Sequence, residues 1–141
     1  MLLKVVGMNK LTSSLDKKRM SLDDREKVNA QAVIVVDRWV QKNFESEGKM
    51  SMGGWKPLSA KTLARRRGSS AKILQDTGTM KGRWKHISNR KRGILRSGVP
   101  YAEAHHKGSG NLPERRILPT NDQIMPELKK VYEHFIRTTI R

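Results

Sequence analysis

Apolar residues recur along this chain at helical spacing in two long stretches and in short β-branched runs between them. From Ser21 to about Glu45 they fall three and four apart, at Val28, Ala32, Val35, Val36, Trp39 and Val40, with Asn43 continuing the row. That spacing places them on one stripe of an α-helix and leaves Arg25, Lys27, Asp37, Arg38, Gln41 and Lys42 facing water or a partner. The Ser21 hydroxyl can accept from a free amide of the first turn, where Asp23 and Asp24 suit the positive helix end. A second stripe, Ile124, Leu128, Val131, Tyr132, Phe135 and Ile136, predicts a C-terminal helix. Asn121 or Asp122 would cap it, with Pro126 accommodated in the first turn.

Shorter elements fill the rest. "LLKVV", ended by Gly7, reads as a strand, and Leu11 and Leu15 suit a short helix after it. "KHISN" and "GILRS" flank "RKR" and predict a basic β-hairpin over about 85–98, its charged turn projecting. "PLSAKTLARRRG" predicts a short helix capped by Ser59 and stopped at Gly68, with Leu58 and Leu63 inward and the arginines outward. "SSAKILQ" is then a linker, Asp76 or Thr77 caps another short helix, and residues 100–107 form a helical turn. "GSGNLPE" is a loop and "RRILP" an extended segment. Gly48, Gly53 and Gly54 break all periodicity and predict a mobile loop over about 46–54. The expected fold is one α+β domain spanning 1–141, a small antiparallel β-sheet packed with a long N-terminal-half helix and a C-terminal helix.

Charge changes this picture most. Lys and Arg number 30 against 13 Asp and Glu, a net charge of +17 in 141 residues, far above the roughly 2–8 of an ordinary small domain. Such an excess attracts DNA, RNA, an acidic membrane or an acidic protein. Lys17-Lys18-Arg19, Arg65-Arg66-Arg67 and Arg90-Lys91-Arg92 concentrate it, and suit phosphate contact better than base reading, since no zinc finger, basic zipper or RNA-recognition motif is present. The absence of cysteine excludes disulfides, thiolate metal sites and thiol catalysis. The N-terminal apolar run is too short for a signal or a membrane span, which predicts a chain that stays in the cytosol.

Enzyme motifs do not hold up. Asp76-Thr77-Gly78 matches the catalytic tripeptide of aspartic proteases, but that chemistry needs two carboxylates sharing a proton, and one copy is present. The polar Gln75 before it and "TMKGRW" after it do not read as a buried strand pair, so a structural turn or helix start is expected. Adjacent His105 and His106 diverge on a helix or a strand, and no third ligand stands at metal spacing. Ser69 and Lys72 have the Ser-x-x-Lys spacing of penicillin-recognising enzymes without the partner motifs. Trp39, Trp55 and Trp84 are expected to pack in the core or between subunits. No catalytic residue, cofactor or metal is expected.

In order, "GGWKPLSAKTLARRR", "ILQDTGTMKGRW", "VPYAEAHHKG" and "ERRILP" resemble the phage virion morphogenesis family, the tail-completion proteins of contractile-tailed phages such as Mu and P2. The segments that carry the likeness are Trp55-Lys56-Pro57-Leu58, Leu74 to Gly78, Tyr101 to Gly108, and Arg116-Ile117-Leu118, within a match running from about Ser21 to the C-terminus. The chain departs from the pattern at His106, where glutamine is common, and at Pro119, where glycine is usual.

The resemblance implies a non-enzymatic virion protein at the head–tail junction, present in the host cytoplasm during assembly. It would form a homo-oligomeric ring of roughly six copies, between the tail tube or terminator and the head connector, with packaged DNA in its lumen and no membrane partner. Arg65, Arg66, Arg67, Arg90, Lys91 and Arg92 would face the lumen or an acidic protein surface. Met50, Met52 and Trp55 would lie on an assembly loop, methionine supplying adaptable contact. Two other readings stay open: a non-specific nucleic-acid-binding protein acting through phosphate contacts, and the Asp-Thr-Gly hydrolase.

Overall fold

The computed structural model describes residues 2–5, 20–68 and 70–139. The short helix expected around Leu11 and Leu15 and the cluster Lys17-Lys18-Arg19 lie outside the described residues. The chain is a mixed helix and strand fold: a small antiparallel sheet, a long helix α1 (Leu22–Glu45) and a C-terminal helix α6 (Asn121–Thr139).

The sheet follows from a hairpin whose turn chemistry is local. β2 (Trp84–Ser88) and β3 (Gly93–Ser97) pair antiparallel with Ile87 opposite Ile94, and β1 (Leu2–Val5) adds to the far side of β3 in the order β1-β3-β2. At the turn the Asn89 side-chain carbonyl accepts from the amides of Lys91 and Arg92 at 2.8 and 3.0 Å. This lets asparagine stand in for a backbone turn. Gly93 permits the hairpin to lie close on α1, because a Cβ there would come within 2.5 Å of Val33 Cγ2 and 2.8 Å of the Asn29 carbonyl.

α1 is capped as its sequence asks: the Ser21 hydroxyl accepts from the Asp24 amide at 3.1 Å. Its buried face is broader than the expected stripe, adding Asn29, Val33 and Phe44, while Val35 sits only partly buried at the edge. At the other end the Glu47 amide donates to Phe44 and the Gly48 amide to Asn43, the double closure of a Schellman motif with Glu47 in the left-handed position (φ 52°).

Two buried asparagines on α1 fasten the other elements. Asn29 donates to the Asn89 carbonyl at 2.8 Å and accepts the Tyr132 hydroxyl at 3.0 Å, joining hairpin turn and α6. Burial pushes that phenol up to about 12. Asn43 donates to the carbonyls of Arg116 and Ile117 at 3.0 and 3.1 Å and accepts the Ser51 amide at 3.2 Å.

Several local expectations are corrected. The glycine-rich stretch 46–54 is not irregular: α2 (Lys49–Met52) forms there, and Gln123 donates to the carbonyls of Met50 and Ser51. α6 is capped by Thr120, paired reciprocally with Gln123, instead of by Asn121 or Asp122. Pro126 is its sixth residue, beyond the first turn, so the Asp122 carbonyl loses its intrahelical donor. α3 (Ala60–Ala64) is capped by Ser59 as expected but ends before the arginines, and Leu63 points outward. Short helices α4 (Thr79–Gly82) and α5 (Ala102–Lys107) complete the chain.

Candidate functional site

The C-terminal end of α1 gathers three of the four segments that carry the resemblance, and the remaining one, Tyr101 to Gly108, joins them through Arg115, Ile117 and Leu118. Trp55, 4% exposed, packs edge-on against Phe44 at 5.4 Å between ring centroids, and its indole donates to the Arg116 carbonyl at 3.0 Å. Gly48 leaves room for that ring, since a Cβ there would meet Trp55 Cδ1 at 2.2 Å. The Gln75 side chain donates to the Phe44 carbonyl at 2.8 Å, and the Ile73 amide to the Glu47 carboxylate at 2.8 Å. The Arg115 guanidinium donates twice to the Lys56 carbonyl, at 3.1 and 2.9 Å, and the Arg115 amide to the His105 carbonyl at 2.8 Å.

Between these segments lies a groove of about 750 Å³. Pro57, Leu58, Leu74, Met80, Leu112 and Pro113 give it apolar walls. Lys56, Arg65, Arg66, Arg67 and Arg115 supply positive charge, and Asp76 is the one acid lining it among the described residues. Arg66 donates to the Ser70 carbonyl. Among the described residues none of those five cations forms an ion pair. Arg115 is only 5% exposed, and burial lowers its pKa.

Asp76, Thr77 and Gly78 form a bend at the groove's edge. Neither Asp76 nor Thr77 caps α4, which corrects that expectation: Gly78 takes the cap position with φ 76° and no side chain bonds to the cap. The Asp76 carboxylate instead accepts the Gly68 amide at 2.9 Å, and a Cβ on Gly68 would come within 2.0 Å of the Asp76 carbonyl. This contact ties the arginine turn to the bend.

The two histidines have separate tasks. His106 Nδ1 accepts the amides of Ile117 and Leu118 at 3.0 and 3.4 Å, so its ring is neutral with the proton on Nε2. Burial, then Arg116, lowers its pKa. His105 lines the groove, stacks edge-on with Tyr101, and has a buried Nδ1 with no hydrogen-bond partner among the described residues. Burial and then Arg115 lower its pKa.

The remaining expected site residues lie elsewhere. Arg90, Lys91 and Arg92 are exposed on the hairpin turn, with Arg90 3.5 Å from Asp23. The turn is fastened at Asn29 and the groove at Phe44, so the two basic regions stand about 20 Å apart along α1 at 1.5 Å per residue. Met50 and Met52 are 38% and 40% exposed, and the Arg116 amide donates to the Met52 sulfur at 3.4 Å. Trp55 is not exposed beside them: it belongs to the chain's own core. Sequence reading missed Arg115 and His105 as groove residues, because Arg115 stands between Glu114 and Arg116 like any surface charge and its partner, the Lys56 carbonyl, lies 59 positions away. Comparison of the chain with family models, with curated proteins and with solved structures found no match.

Proposed function

We propose that the chain is a structural protein of a phage virion, a tail-completion or neck component that closes into a ring joining the tail to the DNA-filled head. The observation that carries this reading is the ordered set of four segments resembling the virion morphogenesis family, which meet around one groove although they span residues 53–119. A shared surface is what an assembly protein would keep. The net charge of +17 supports a neighbour that is DNA or an acidic protein, because a ring of such chains alone repels itself. No helix among the described residues is long and apolar enough to cross a membrane.

The test is the mass of the purified chain by light scattering, at low and high salt, with and without short duplex DNA, followed by electron microscopy. Rings that resist salt, or that form when DNA or a tail partner is added, are expected. A monomer that binds duplex one to one and releases it steeply with salt would replace this reading with the nucleic-acid-binding one, which the exposed Arg90-Lys91-Arg92 turn favours.

A further inference from the structure

The groove differs from a general basic surface in three ways. Its five cations face one acid, Asp76, whose carboxylate accepts the Gly68 amide, and none of the five forms an ion pair among the described residues. One of its cations, Arg115, is almost wholly buried and has only carbonyl partners. The buried Nδ1 of His105 has no hydrogen-bond partner among the described residues. Buried polar groups generally find partners, and here a buried nitrogen without one and a buried cation without a counter-charge, among the described residues, line the same concavity.

We propose that this groove takes an extended acidic peptide segment of a partner protein, its carboxylates on Arg65, Arg67 and Arg115 and its aliphatic side chains between Leu58, Leu74 and Leu112. Arginine suits this, because its planar fork meets a carboxylate through two parallel bonds. The apolar walls decide against duplex DNA: a phosphate backbone offers them nothing, and a duplex is too broad to bring a phosphate down to a residue 5% exposed. Single-stranded nucleic acid would want stacking platforms, and Tyr101 is the one phenyl or indole ring lining the groove among the described residues. A chain of alternating acidic and aliphatic side chains satisfies both the cations and the walls. The proposal names a partner class for the arginine face of the assembly reading, and rests on that reading only for the source of the peptide, a neighbouring structural protein.

The experiment is fluorescence anisotropy of a short labelled peptide alternating glutamate and leucine, against the full chain. The glutamine-for-glutamate peptide, a single-stranded oligothymidylate and a short duplex are run beside it. Two double variants carry the same change of net charge: Arg65→Glu with Arg67→Glu in the groove, and Arg90→Glu with Arg92→Glu on the hairpin turn. The groove variant is expected to weaken the acidic peptide about tenfold or more, and the turn variant about twofold or less. Leu112→Asn, at an exposed wall position, is expected to weaken the peptide and leave the oligonucleotides unchanged. Equal losses in both double variants, or the glutamine peptide binding as well as the acidic one, would overturn the proposal. So would an oligonucleotide that binds more tightly than the peptide and loses that affinity in the groove variant. Light scattering on the same samples separates the two readings: peptide binding by a chain that never forms rings removes the assembly reading alone, and rings without peptide binding remove the groove proposal alone.

Discussion

At one end of α1, Arg90, Lys91 and Arg92 ride exposed on a turn that the Asn89 side chain shapes locally and Asn29 fastens to the helix, with Asp23 nearby. At the other end, Arg65, Arg66, Arg67 and Arg115 surround a concavity that no single segment builds. It exists because Asn43, Trp55, Gln75 and Arg115 each make a hydrogen bond across a long sequence separation. The same residue type therefore has different prospects at the two ends. The turn can meet a polyanion of almost any shape, whereas the groove selects by form, and it is also the end that a single substitution can dismantle.

Gly48→Ala should damage the groove end most. The added methyl meets the buried Trp55 ring in a backbone conformation of φ 84°, and clash plus strain together should cost on the order of 3 kcal/mol. Gly53→Ala is the control: its φ is 77°, but a Cβ there meets nothing within 4 Å, so strain alone should cost about 1 kcal/mol. Urea titration of both variants measures the difference, and equal losses would mean that Trp55 does not depend on Gly48 for its seat.

The two asparagines refine the comparison. Asn43→Ala strands the Ile117 carbonyl and takes one of two partners from the Arg116 carbonyl, which keeps the Trp55 indole, and from the Ser51 amide, which keeps the Gly48 carbonyl, for a loss of about 2 kcal/mol. Asn29→Ala strands a hydroxyl and a carbonyl near the hairpin, for about 1–2 kcal/mol. Amide exchange distinguishes them further, because Asn43→Ala should speed exchange at Ser51 and leave Lys91 protected.

That contrast also explains what could be read from sequence. Ser21, Ser59, the alternating strands and the Asn89 turn act within a few residues, so α1, the α3 cap and the hairpin were all legible. Asn43 could be placed on the buried stripe, but its partners at 51, 116 and 117 could not. Met50 and Met52 looked like loop residues because the bonds that order α2 come from Gln123, more than 70 positions away. Trp55 looked available for assembly for the same reason, since nothing local says that Phe44 and Arg116 enclose it. Tertiary hydrogen bonds override local glycine content when they satisfy buried backbone groups.

Acid should loosen the groove end before the turn. His106 must be neutral to accept from Ile117 and Leu118, and burial with Arg116 and Lys107 holds its pKa below the ordinary value, against a weaker opposite pull from Glu114 and Glu103. The unfolded chain then takes up this proton first, so its contribution to stability is complete above the ordinary histidine range. It is lost as pH falls through that range toward the folded value. His105 shifts the same way. The urea midpoint should therefore drop between about pH 7 and pH 5, and His106→Gln, whose side-chain carbonyl can accept the same amides, should make that drop shallower. An unchanged pH slope in the variant would show that His106 is not the group being titrated.

Asp23→Ala should change least, and its small effect is informative. Asp23 and Arg90 are 78% and 56% exposed at a separation of 3.5 Å, so losing the pair together with the favourable first-turn charge of α1 should cost no more than about 1 kcal/mol. Asn89 and Asn29 hold the turn without it. The substitution also removes the one carboxylate paired with the turn's three cations among the described residues, which should tighten duplex binding there and steepen its salt dependence by about one ion per added phosphate contact. Peptide binding in the groove should not respond. A loss of stability well above that bound would mean that the pair helps to hold the turn, and the hairpin would then depend on long-range contacts as heavily as the groove does.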